Sequence, residues 1–269
     1  NLDNKSGLEL AVPYYWNIAP QRDATLTPIA YTRRGVGLIA EGRYLEPRHG
    51  GELQWHELPN DRVLGAERHA LRWRQQGMAF GETAGDALRW GHSGERVSDD
   101  SYWKDFPRVL DSQTPRLLSA VVHAEHDWVV SGLPTTVYAR TQRWQVLQDP
   151  DPLALIAAPY DRTAQLGWSG AAQLPAWGFG IDADFEVELN RFTLPANSAD
   201  PLRREGWRAH ALASVAHSWR SPGAWLTPRL AVNLARYDTD TPMSDGRSQA
   251  SRAIPTLSVD SGLVFERDT

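Results

Sequence analysis

The chain has 269 residues, 41% apolar and 23% charged, with a formal charge of −5 at pH 7. That balance excludes a disordered tail, and it excludes a helical membrane protein too. The longest apolar run, Leu153 to Tyr160, is under half of the roughly 20 residues that a spanning helix requires.

The charge offers no basic footprint, so no nucleic-acid partner is expected. Twelve Trp, eight Tyr and six Phe stand beside two Met and no Cys. Rings with an apolar body and a polar tip suit membrane interfaces, and Trp also suits sugar-binding surfaces. Without Cys there is no disulfide, thiol nucleophile or Cys-bound zinc.

In chain order, period-two alternation predicts strands near 7–16, 24–32, 36–45, 51–58, 67–75, 86–96, 116–124, 128–142, 160–168, 181–192, 207–219 and 225–236. A closing strand carries Leu257, Val259, Leu263 and Phe265 against Thr256, Ser258 and Asp260. The clearest alternation is at 181–192: Ile181, Ala183, Phe185, Val187 and Leu189 oppose Asp182, Asp184, Glu186, Glu188 and Asn190. Many of these runs are near the roughly 9 to 11 residues with which a tilted strand crosses a bilayer.

Links near 97–115, 145–157, 194–205 and 237–253 are expected to be long, and those near 125–127, 169–175 and 220–224 short. A membrane barrel alternates its links this way, with short turns on one side and longer loops on the other. The expectation is therefore all-β: an antiparallel transmembrane β-barrel, here a partial barrel of roughly a dozen strands forming one domain over 1–269. If the first strand rises from the periplasm, the long links fall on the wrong side. That points to a miscounted strand before residue 92. Asn1 to Leu10 has no basic region followed by an apolar core, and only Glu266 to Thr269 follow the closing strand. A portion of a longer exported protein is expected, unable to close a barrel by itself.

Three constellations have a chemical reading and a plainer one. Gly35, Gly37 and Ala40 match a dinucleotide fingerprint, but alternation continues through Glu41, Arg43 and Tyr44 where a helix should begin. His123, Glu125, His126 and Asp127 form the densest run of metal-ligand types, and a polar turn explains them as well. Asp182, Asp184, Glu186 and Glu188 have spacing that permits a glycosidase pair, yet a water-facing strand side accounts for all four. No catalytic residue, metal or cofactor is assigned.

Pro13-Tyr14-Tyr15-Trp16-Asn17-Ile18-Ala19-Pro20, followed by Asp23-Ala24-Thr25-Leu26-Thr27-Pro28, resembles the opening hairpin of the lipopolysaccharide-assembly barrel family, also called the organic solvent tolerance proteins. The likeness continues through Arg33-Arg34-Gly35, Glu41-Gly42-Arg43-Tyr44-Leu45, Val97-Ser98-Asp99 with Tyr102 and Asp105, and Val264-Phe265-Glu266-Arg267-Asp268. It implies the N-terminal portion of an outer-membrane barrel that is not an enzyme. Such a barrel receives lipopolysaccharide from a periplasmic bridge protein, holds a lipoprotein plug in its lumen, and releases its cargo among outer-membrane lipids. The family's periplasmic domain, second barrel half and disulfide cysteines have no counterpart here. The resemblance makes Pro13 and Pro28 the prolines of a lateral gate, with Tyr14, Tyr15, Trp16 and Asn17 in the seam hairpin. On the barrel reading Asp184, Glu186 and Glu188 face the lumen. A porin-type barrel and a soluble Trp-rich sugar-binding sandwich are the competing readings.

Overall fold

Alternating side chains give each strand one apolar and one polar face, and short links leave successive strands no choice but to pair antiparallel. The computed structural model describes residues 2–3, 6–81, 86–107, 116–176, 179–195 and 202–265. The chain divides into two compact units, 1–124 with 141–161 and 194–200, and 125–140 with 162–193 and 201–269.

The first unit opens with β1 (Leu2–Asp3), β2 (Gly7–Ala11), β3 (Tyr14–Ala19), β4 (Arg22–Tyr31) and β5 (Gly35–Leu45). Next come β6 (His49–Asp61), β7 (Ala66–Ala79), β8 (Leu88–Val97) and a one-turn helix, α1 (Tyr102–Asp105). From β4 to β8 each strand pairs with the next. β2 and β3 both pair with β4, so they are one strand broken at Val12 and Pro13.

β9 (Leu117–Val130) and β10 (Leu133–Val146) contribute residues to both units. β11 (Asp161–Ala176), β12 (Phe179–Thr193), β13 (Gly206–Ala216), β14 (Trp219–Ser221), β15 (Ala224–Thr239) and β16 (Gln249–Leu263) belong to the second unit apart from Asp161. There β12 pairs β13, β13 and β14 both pair β15, and β15 pairs β16. The all-β antiparallel class is as expected, and among the described residues no helix is long and apolar enough to cross a membrane.

The strands outrun the alternation that predicted them, because ladder bonds continue past the apolar zone. The short link expected at 125–127 is inside β9, and the turn is at Ser131 and Gly132, whose φ values of 52° and 81° are what a two-residue hairpin turn demands. His123 to Asp127 are therefore strand residues, not a polar turn. The link expected at 169–175 is likewise inside β11. No additional long strand precedes residue 92 among the described residues, so a miscount does not explain the sidedness of the links. Antiparallel succession brings the end of β8 at Val97 to the end of the first unit where β2 begins, together with the links at 32–34 and 62–65.

Gly35 and Gly37 answer to packing instead of to a nucleotide. Gly35 has a φ of +116°, and a Cβ on Gly37 would sit 2.4 Å from the Glu57 carbonyl on β6. Both open β5, with no helix after them.

Candidate functional site

Register sorts the opening hairpin into faces. Tyr14 opposes Leu26 and Trp16 opposes Ala24, on the same side as Pro28, while Tyr15 opposes Thr25 and Asn17 opposes Asp23. The first set continues across the sheet as Leu26, Ala40, Trp55 and Leu71. The second leads to Thr25, Glu41, Gln54, Arg72 and Glu95. The predicted seam residues are thus divided: Tyr14 and Trp16 lie on an apolar face, Tyr15 and Asn17 on a polar one.

Each proline removes a donor at a defined edge. Thr32 N–H donates to the Leu8 carbonyl at 3.0 Å and Val12 N–H to the Pro28 carbonyl at 3.2 Å, so the peptide groups of Leu8 and Val12 face β4. A strand residue directs its N–H and C=O to the same side. Pro28 therefore lacks the donor that would return Val12's bond, and the pair keeps one of its two bonds. Pro13, one residue further on, lacks a donor on the opposite edge, where β3 has no strand partner among the described residues. The ladder breaks there and resumes at Tyr14.

The polar face of the first unit holds a charged core at its long-link end. Ile39, His56, Ala70 and Val97 form a cross-strand row on that face. α1 lies over it and buries Tyr102 and Phe106 against Ile29, Tyr31, Leu58, Leu118 and Leu147. Under this cover Arg68 is fully buried and binds Asp99 through two nitrogens at 2.9 and 2.8 Å, Asp105 at 2.7 Å and Asp61 at 3.1 Å. Arg34 meets Asp61 at 2.6 Å and Asp105 at 3.2 Å. Phe106 packs beside both guanidiniums, its ring centroid 5.2 Å from Arg34 and 4.9 Å from Arg68. His56 Nδ1 hydrogen-bonds the Tyr102 hydroxyl.

Burial alone would push the Asp99 carboxyl up, but hydrogen bonds from Ser101, Arg68 and Ser98 outweigh it and hold the group below the usual carboxylate range. Burial pushes the Tyr102 phenol well above its ordinary value. The Lys104 ammonium, bonded to Asp149, holds that carboxyl down and ties α1 to the 147–160 link.

In the second unit, register puts Asp184, Glu186 and Glu188 on one face with Ser214, Leu212 and His210, and Phe185, Val187 and Leu189 on the other with alanines of β13. Tyr138 donates to Glu186 at 3.0 Å and to Glu188 at 2.6 Å, and Gln165 and Asn190 also donate to Glu188. Asp184 takes Ser214 at 2.6 Å and Arg229 at 3.0 Å. These carboxylates are tied into a hydrogen-bonded surface, which supports the plainer reading over a glycosidase pair.

The metal-ligand run at His123 to Asp127 does not gather. Its side chains alternate along β9, and Asp127 accepts from Thr136 at 2.7 Å. Among the described residues, Glu57, Glu67 and His69 instead bring ligand atoms within 4.8 Å of one another, at the exposed or half-exposed surface. Sequence reading missed Asp61, Arg68 and His56. Arg68 finds Asp99 and Asp105 across 31 and 37 residues, a pairing no local pattern announces. Arg34, Asp99, Tyr102 and Asp105, which carried part of the resemblance, all lie in this cluster. Glu266, Arg267 and Asp268 lie outside the described residues.

Long antiparallel strands with one apolar and one polar face, joined from β8 onward by alternately long and short links, define the wall of a transmembrane β-barrel. Residues 68–269 match the family model described as LPS transport system D, and the chain belongs to that family. It is 41% identical to the LPS-assembly protein LptD of Acidovorax sp. (strain JS42), over 99% of this chain and 32% of that protein. It is 40% identical to the LptD of Albidiferax ferrireducens and 37% identical to that of Paracidovorax citrulli, again over 99% of its own length. The chain spans about a third of the length of these relatives.

Proposed function

We propose that this chain is barrel wall from an outer-membrane protein that assembles lipopolysaccharide into the outer leaflet, and that β2 and β3 form the moving side of a lateral gate. Family membership and the relatives' names support the cargo. The gate rests on one observation: Pro13 and Pro28 delete donors on opposite edges of the first long strand.

Lipopolysaccharide has acyl chains that belong in the bilayer and a large sugar that does not, so a carrier must part its wall as well as open its lumen. A wall of paired strands resists parting, since an unmet ladder group in lipid costs several kcal/mol. Proline has no N–H to lose, so both edges of the strand begin with a smaller penalty. On this reading Tyr14 and Trp16 face lipid beside the gate, while Tyr15, Asn17, Asp184, Glu186 and Glu188 face the water-filled side. A lipoprotein plug would occupy that lumen, and a periplasmic bridge protein would deliver the cargo through parts of the protein beyond this chain.

In the full-length protein, Pro13→Ala with Pro28→Ala should slow delivery of lipopolysaccharide to the cell surface and raise permeability to bulky antibiotics, with barrel assembly intact. Surface labelling of newly made lipopolysaccharide measures the first effect. Normal delivery by a correctly assembled double variant overturns the gate.

A further inference from the structure

The apolar face of the second unit carries a recess with a charged rim. Register places Val187, Ala211, Leu234 and Ala253 in one cross-strand row and Leu189, Ala209, Arg236 and Ser251 in the next. The alanines leave a groove of about 460 Å³ between the larger side chains. It shares Arg236 and Ser251 with a second cavity of about 490 Å³, lined also by Asp245 and Arg247 of the 240–248 link and by Gln249 and Ala250 of β16. The next row outward holds Arg191, Trp207, Asp238 and Gln249. The Arg191 guanidinium is 5.8 Å from the Trp207 ring, an aromatic and polar pairing of the kind found where a membrane wall meets water.

Arg191 is paired with Asp240, but the two arginines that line the cavities have no carboxylate partner for their guanidiniums among the described residues. Arg236 donates to the neutral Gln249 side chain at 3.3 Å, and the Arg247 guanidinium has no partner among the described residues. Asp245, the one carboxylate of the rim cavity, accepts the Arg247 backbone N–H at 3.0 Å. Two guanidiniums against one carboxylate make the lining itself net positive, with Asp238 one row outward accepting from Gln249, and the forked donors of the two arginines fit phosphate oxygens. A positive polar cavity opening into an apolar groove has the chemistry of a phosphorylated amphiphile.

We propose that this recess binds an anionic glycerophospholipid of the surrounding membrane, its phosphate at Arg236 and Arg247 and one acyl chain along Ala209, Ala211, Leu234 and Ala253. The inference rests on the barrel-wall reading, which turns this face to lipid.

The test uses the purified full-length protein in mixed micelles of phosphatidylglycerol and phosphatidylcholine at equal mole fraction, with retained lipid counted by native mass spectrometry. The expected result is preferential retention of phosphatidylglycerol. Arg236→Ala with Arg247→Ala should lower that preference roughly tenfold, and Arg220→Ala, an exposed arginine elsewhere in the unit, should leave it unchanged. Ala211→Phe, which fills the groove, should reduce retention while sparing what preference remains. Absence of preference in the parent, or its persistence in the double variant, overturns the site. Displacement by inorganic phosphate would reduce it to an anion site without a lipid, and stronger retention of purified lipid A would assign the recess to the transported cargo. A protein monodisperse without detergent would instead overturn the membrane reading itself.

Discussion

The two units contain the same backbone defect in different settings. In the first, Val12 N–H donates to Pro28 opposite the break between β2 and β3; in the second, His217 N–H donates to Pro228 at 3.2 Å opposite the break between β13 and β14. Each proline takes one donor from the facing edge, so a single proline explains a broken strand without any gate. What distinguishes the first unit is Pro13, which takes a second donor from the outer edge of the same strand. The units also differ in how they treat charge. Arg34, Arg68 and Asp61 are buried under α1, whereas the Arg229–Asp184 pair of the second unit is 49% and 43% exposed.

The largest expected effect breaks the charge contrast. Arg68→Ala removes the buried cation shared by Asp61, Asp99 and Asp105 and leaves Arg34 alone against the first and last of them, which should cost about 3–5 kcal/mol, whereas Arg229→Ala should cost no more than about 1 kcal/mol. Thermal unfolding of the full-length protein in detergent measures both, and equal losses would show that burial does not separate the two pairs. Next is the contrast between faces within the second unit. Val187→Arg should impair assembly by about 2–4 kcal/mol if its face meets lipid, while Glu186→Arg should be tolerated far better. Equal tolerance would undo the face assignment.

The proline contrast follows. Pro228→Ala restores a donor where the partner strand is already bracketed by others, so it should leave lipopolysaccharide delivery unchanged. A delivery defect like that of the Pro13 and Pro28 double variant would make both sites general flexibility devices.

A smaller effect concerns pH. Asp99 is held below its ordinary value, so its stabilising contribution is present above the unfolded carboxylate value of about 3.9 and is lost as pH falls through the lower folded value. The stability gap between the parent and Asp99→Asn should be constant at neutral pH and shrink below about pH 4, an outcome read from unfolding midpoints across the acid range. The smallest effect belongs to Lys104→Ala. Its partly exposed pair with Asp149 should contribute little, so the variant should unfold close to the parent.

Much of this architecture is legible in the chain. Alternation at 181–192 placed Asp184, Glu186 and Glu188 opposite Phe185, Val187 and Leu189 before any register was known, because a period of two follows from the strand backbone alone. Pro13 and Pro28 were visible for the same kind of reason: a missing N–H is a property of the residue. The edge that each missing donor affects was not legible. It depends on which of two neighbours a peptide group faces, and only register decides that. Turn positions were partly readable, since Ser131-Gly132 carries a hairpin signal that the run of His123 to Asp127 obscured. The charged cluster needed the tertiary structure. Arg34 and Asp99 stand in links, Asp61 at a strand end, Arg68 within a strand and Asp105 in α1, and what joins them is the approach of α1 to one face. The sequence by itself determined local periodicity, donor inventory and face; long-range pairing, which sets burial and therefore the strength of each charge interaction, was decided by the folded sheet.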